Sequence, residues 1–237
     1  MREQFSTTHW SLVIRAADKR HPAADRALAA LCERYWFPLY AFVRREGHNE
    51  HDAQDLTQAY FARLLEKSDL DDVDPARGRF RSFLLASLRH FLSNVRDRER
   101  AGKRGGGRPA LALDFFDAES RYVRELAEQW SPESLFHRRW ALETLSAALT
   151  RLRGEWNEPD RHEFFVAVED AITGDEARTH ADIAAQFEMT EGAVKTAVHR
   201  LRRRYRELLR EEIAQTVADP ADVDEEIRDL FAALRGT

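Results

Sequence analysis

With 237 residues, the chain has room for one large domain or two small ones. A net charge of −5 argues against indiscriminate coating of nucleic acid, so any polyanion contact must come from a local patch. The single cysteine excludes an intramolecular disulfide. Together with the lack of a signal-peptide pattern or an apolar run near the roughly 20 residues of a membrane span, it favours a cytoplasmic protein.

Trp10, Leu12, Val13 and Ile14 suggest a short opening helix. A longer helix is expected from Pro22, suited to a first turn, to about Arg45. Its core face is Leu28, Leu31, Tyr35, Leu39, Phe42 and Val43, and Pro38 is a point where it kinks or splits. Cys32 shares that face, where a buried thiol is expected rather than a nucleophile. In the next segment Leu56, Tyr60, Phe61, Leu64 and Leu65 form an apolar stripe, while Asp52, Asp55 and Gln58 recur on another face. Acids at a helix start suit the macrodipole, so the residues alone leave helix stabilisation and a docking face equally open. His48, His51 and Asp52 lie close enough to raise a metal site, but in a polar helix entry they read as plain surface.

After an acidic loop, Asp69 to Asp74, the segment Phe80–Arg100 reads as helix. Phe80, Phe83, Leu84, Ser87, Leu88, Phe91, Leu92 and Val95 give it an almost continuous stripe. Between Arg77 and Arg108 stand ten Lys or Arg against two acids, Asp97 and Glu99, so this is a candidate nucleic-acid surface. Most of its aromatics look like core; Phe80 and the loop 77–82 are where a base could be stacked. The glycine- and arginine-rich stretch 102–109 is the clearest boundary. It lacks a phosphate-loop pattern and reads as a flexible tether. Residues 111–130 are amphipathic and undecided.

Ser131-Pro132 begins a helix through Trp140, Leu142, Leu145, Leu149 and Leu152, and another with Phe164, Phe165, Val168 and Ile172 ends at Thr173-Gly174. Thr179, with Asp182 three residues on, fits a capping box for a short helix carrying Ile183, Ala184 and Phe187. Glu188-Met189-Thr190 forms a break, and Thr190 is suited to cap a second helix. There Val194, Val198, Leu201, Tyr205 and Leu208 fall on one side; Lys195, Thr196, His199, Arg200, Arg202, Arg203 and Arg206 fall on the other. Small Ala184 and Gly192 are expected at the helix crossing. A helix backed by apolar residues and fronted by basic ones is the form that enters a DNA major groove. Beyond Arg210 the charge turns acidic over a small stripe of Ile227, Leu230, Phe231 and Leu234, which fits a solvated terminal helix or a tail folded back over a basic surface.

The run from Asp52 to Leu65, followed by Phe80-Arg-Ser-Phe-Leu-Leu-Ala-Ser-Leu-Arg-His-Phe-Leu, resembles region 2 of a bacterial sigma factor. Ile183-Ala184 through Lys195 and His199-Arg200-Leu201 resembles region 4. The pair is similar to the extracytoplasmic-function (ECF) group of the sigma-70 family. That resemblance implies an all-α fold of two small helical domains: region 2 over 1–101, a linker over 102–130, the region 4 helix-turn-helix over 131–215, and an acidic tail over 216–237.

It also implies docking on core RNA polymerase, with its beta-prime and beta subunits, through Asp52, Asp55, Gln58 and Phe61 with Leu56 and Leu65 behind. Promoter DNA would be opened at the −10 element by Arg77, Arg79, Phe80, Arg81, Arg89, His90 and Asn94. The −35 element would be read by Thr190, Glu191, Lys195, Thr196, His199, Arg200 and Arg203. Family members answer to anti-sigma proteins or Ser/Thr kinases. Two departures stand out: Glu188 sits where glycine is usual in the turn, and Ala197 stands where many members carry a base. No catalytic constellation, cofactor motif or metal-ligand spacing is present, so a non-enzymatic role is expected, with a stand-alone helix-turn-helix regulator as the other reading.

Overall fold

The computed structural model describes residues 10, 22–65, 79–100, 115, 118–123, 130–174 and 178–235. The described elements are α1 (Pro22–Arg45), α2 (Glu50–Leu65), α3 (Phe80–Arg100), α4 (Ala118–Val123) and α5 (Pro132–Gly154). After them come α6 (Pro159–Thr173), α7 (His180–Gln186), α8 (Glu191–Ala214), a 3-10 turn at Pro220–Asp222, and α9 (Val223–Arg235). Among the described residues the chain is all-α, and its extended pairing is a lone antiparallel bridge between Arg79 and Val217.

The chain divides into two units. The first holds Met1–Glu143 and Ile213–Thr237; the second holds Thr144–Glu212, shorter at both ends than the 131–215 span expected from sequence. The acidic tail therefore belongs to the first unit. The opening helix, the loops 69–74 and 102–109, and Arg77 lie outside the described residues, apart from Trp10 itself.

The first unit is built on α1, whose Leu28, Leu31, Cys32, Tyr35, Leu39, Phe42 and Val43 are all buried. Helix periodicity places these on one stripe, and covering it with α2, α3 and α4 is the main drive for assembly. Pro38 sits inside α1 without dividing it into two elements. Burial raises the Cys32 thiol far above its ordinary pKa, which keeps it protonated and inert. From α2, Tyr60, Phe61 and Leu64 enter the core, and the Tyr60 hydroxyl lies 2.5 Å from Ser87 Oγ on α3. Short α4 lies inside the undecided stretch 111–130. Its Glu119 binds Arg44 (2.6 Å) and the Tyr40 hydroxyl (2.7 Å), and those partners hold its carboxyl below the usual range.

In the second unit α6 begins with proline in its first turn and ends on Gly174 at φ 98, where the missing Cβ removes the left-handed penalty. Its Phe165 and Val168 are buried, as are Leu152, Ile183, Val198 and Leu201 elsewhere in the unit. Trp156 and Phe187 flank Phe164 at centroid distances of 6.4 and 5.3 Å.

Candidate nucleic-acid interface

The second unit contains a helix-turn-helix. Thr179 caps α7 in a reciprocal box: its Oγ1 accepts from the Asp182 amide, and the Asp182 carboxylate accepts from the Thr179 amide. The Thr179 hydroxyl, which donates to the Asp182 carboxylate at 2.6 Å, and then the Thr179 amide hold the Asp182 carboxyl below its usual pKa. The chain leaves α7 through Glu188 at φ 52, the sole non-glycine with positive φ among the described residues. That left-handed residue lets the Met189 amide donate back to the Ala184 carbonyl at 2.9 Å, the six-to-one bond that ends a helix sharply. Thr190 Oγ1 then accepts from the Ala193 amide at 3.2 Å and opens α8.

On α8, Val194, Val198, Leu201 and Leu208 are buried, and the Tyr205 hydroxyl donates to the Leu145 carbonyl at 3.1 Å. Lys195, Thr196, His199, Arg200, Arg203 and Arg206 are exposed. Lys195 pairs with Glu191 at 2.7 Å and Arg203 with Glu207 at 3.1 Å, both one turn apart on the same helix. Such exposed pairs hold side chains loosely, so a phosphate can replace the carboxylate. Two expectations are corrected here. Arg202 is not on the open face: its guanidinium donates to the Ala171 carbonyl at 2.6 and 2.9 Å, capping the end of α6. Gly192 is not at a helix crossing, since a Cβ there would meet nothing within 4 Å.

In the first unit α2 opens at Asn49, whose Oδ1 accepts from the Asp52 amide at 2.9 Å while its Nδ2 donates to the Asp52 carboxylate at 2.7 Å. Asp52 thus has a local capping role, and both it and Asp55 remain exposed. Gln58, Leu56 and Leu65 are half-buried. Phe61 is fully buried, so it cannot form part of an exposed docking face as expected; its ring packs 5.5 Å from Tyr60.

Along α3 the expected DNA-facing residues separate into two groups. Arg89 and His90 are exposed and Asn94 is half-buried, 3.4 Å from the His90 ring. Arg89 also reaches Glu133 and lies over the Phe42 ring at 5.8 Å. Phe80 and Arg81 are buried. Phe80 does not offer a base platform, because its ring sits among Trp10 (4.9 Å), Tyr35 (5.0 Å) and Phe83.

Arg81 makes a two-pronged contact with Glu226 at 2.6 and 2.9 Å, reaches Asp229 at 2.5 Å, and lies 4.5 Å over the Trp140 ring. Arg79 contacts Glu225 (2.8 Å), Glu226 (3.3 Å) and Asp229 (2.5 Å). Burial disfavours both guanidinium charges, but the carboxylates more than offset it and the net shift is upward. Arg81 also contacts His137 Nδ1 at 3.1 Å; burial and that cation drive the imidazole pKa down to about 4. The sequence raised a tail folded back over a basic surface; that it meets Arg79 and Arg81 in particular has no local signal.

Residues 31–101, from within α1 to just past α3 and all in the first unit, match Sigma-70 region 2. The chain is also 29% identical over 179 residues to the "ECF RNA polymerase sigma factor SigE" of Mycolicibacterium smegmatis. Both findings are likenesses to the sigma-70 family, the second to a relative that carries the ECF name. The alignment covers 75% of this chain and 60% of that relative's length. No solved structure matches.

Proposed function

We propose that the chain is an ECF-type sigma factor that binds core RNA polymerase, recognises promoter DNA and starts transcription. The observation that carries this reading is the joint presence, in one chain, of a sigma-70 region 2 match and a helix-turn-helix whose second helix exposes Lys195, His199, Arg200 and Arg203. In this reading Asp52, Asp55 and Gln58 meet the beta-prime subunit. Arg89, His90 and Asn94, with Arg77 and Arg79, face the −10 region. Thr190, Glu191, Lys195, Thr196, His199, Arg200 and Arg203 face the −35 region. Phosphate contacts from the bases would supply affinity and register, and base-edge contacts from residues near the start of α8 would supply sequence choice. The polymerase performs the chemistry, and the sigma factor contributes position and strand opening.

The test is run-off transcription with purified core polymerase on a randomised promoter library. Sequence-selective transcripts that vanish with Asp55→Lys support the proposal. Asp55 is the better variant, because Asp52→Lys would also remove the capping partner of Asn49. Tight, sequence-specific duplex binding by the isolated chain, with no polymerase requirement, would instead establish a stand-alone regulator.

A further inference from the structure

Three carboxylates of the C-terminal helix face the two arginines that begin α3. Glu225, Glu226 and Asp229 lie on the first turns of α9, and together they contact every terminal nitrogen of Arg79 and the Nε and one terminal nitrogen of Arg81. α9 is held in place by buried Val223 and Leu230, and by Arg138, which donates to the Leu234 carbonyl at 3.0 Å. Beside it a pocket of about 180 Å³, open to solvent, is lined by Arg81, Ser134, His137, Asp229 and Ala232.

Carboxylate oxygens in contact with guanidinium groups make the same charge-assisted hydrogen bonds as phosphate oxygens, and Arg suits both. Three acids against two arginines leave the covered patch without positive charge of its own. Residues 215–217 are tied to the first unit separately, by Gln215 and Thr216 carbonyls that accept from Trp10 and Phe80 amides at 3.1 and 2.9 Å. α9 can therefore depart without unmaking that attachment.

We infer that α9 is an intramolecular acidic cover that occupies, with Glu225 and Asp229, the positions that backbone phosphates of single-stranded DNA would take on Arg79 and Arg81. The inference rests on the DNA-facing role proposed for the start of α3. Strand capture at that end requires α9 to swing away, so free chain binds single strands weakly. Polymerase or promoter contacts that pull the tail aside raise the affinity.

The test measures binding of a fluorescent 12-nucleotide single-stranded DNA to the full chain and to the Glu225→Gln/Asp229→Asn variant, which keeps buried Glu226. The variant is expected to bind about three- to tenfold tighter, with a steeper loss of affinity as salt rises, because more phosphate contacts form. A chain ending at Ala218 should bind tighter still, and a synthetic peptide of residues 219–237 added to it should restore the weak binding. Should the truncated chain fail to fold by circular dichroism, the double variant decides alone. Equal or weaker binding by the double variant, with an unchanged salt slope, overturns the cover. Transcription by the full chain with core polymerase is scored in parallel. Its failure sinks the sigma-factor reading, whereas normal transcription with unchanged strand binding sinks the cover.

Discussion

The start of α3 and the outer face of α8 carry the same chemistry in opposite states. On α8, Arg200 and Arg206 are exposed and have no carboxylate partner among the described residues, and Lys195 and Arg203 hold only neighbours on their own helix. On α3, Arg81 is buried against a carboxylate that is itself fully buried. A count of arginines scores the two segments alike. What separates them is the origin of the counter-charge: one turn away along α8, against 145 residues away for Arg81 and Glu226. Exposed pairs with a local partner are weak and exchangeable, whereas a buried pair with a distant partner ties two segments together.

The largest break in that contrast is Glu226→Ala. Removing one member of a buried pair leaves the other charge uncompensated, which costs about 3 kcal/mol. Asp229 still reaches Arg81, so the loss should fall at the lower end of what such deletions produce. Glu207→Ala, which unpairs Arg203 on the exposed side and leaves Arg204 its contacts with Glu155 and Glu211, should leave the urea midpoint within scatter. Equal midpoints for the two variants would show that α9 contributes no stability through its charges.

A second break uses pH. His137 faces Arg81 on one side and has Asp229 and Glu133 nearby, yet burial and the guanidinium dominate and hold it neutral down to about pH 4. The unfolded imidazole takes up a proton near its ordinary 6.5, so between about 6.5 and 4 the unfolded state binds more protons and stability falls as pH falls. Below about 4 the folded form also protonates and this loss stops growing. Glu119 and Glu133, held low in the folded state, add their own loss at the acid end of the window. In His137→Gln the slope of stability against pH should flatten between 6.5 and 5, with the amide still able to accept from Arg81. A slope identical to the natural protein's would remove His137 from the account.

The open face is broken by Arg200→Glu with Arg203→Glu. Duplex affinity within the polymerase complex should drop about tenfold or more, as expected for losing a base or phosphate contact at each position, with no change in the urea midpoint. The same charge reversal at Arg81 would unfold the first unit before its DNA binding could be read.

These differences explain which parts of the molecule the sequence disclosed. Features set within one or two turns were legible: the capping box of Thr179 and Asp182, the end of α6 at Gly174, and the apolar stripe of α1. The helix-turn-helix was legible because all its signals are local. Features set by distant partners were not. Phe80 heads a basic segment and looked available to a base, yet Trp10 and Tyr35 bury it. Arg202 shares the exposed stripe of α8 by periodicity, but the free carbonyl of Ala171 at the end of α6 claims it. Gly192 looked like a spacer because small residues often mark crossings, and it faces open space.

The smallest effect concerns the turn itself, where the sequence raised the question and the backbone answers it. Glu188 adopts φ 52, a conformation that costs an L residue roughly 1–2 kcal/mol, whereas Gly174 ends α6 at φ 98 without that cost. Glycine at 188 would lose more backbone entropy on folding, a penalty of about 0.5–1 kcal/mol, so the two terms leave a small net gain. Glu188→Gly should therefore raise the stability of the second unit by about 0.5 kcal/mol. Gly174→Ala should lower it by a similar amount, since the left-handed strain that alanine takes on exceeds the unfolded-state entropy it removes. If both variants moved in the same direction under urea, the strain at Glu188 would have to be relieved by its surroundings. The ion pair of Glu191 with Lys195 just beyond the turn would be the first contact to remove in a double-mutant cycle.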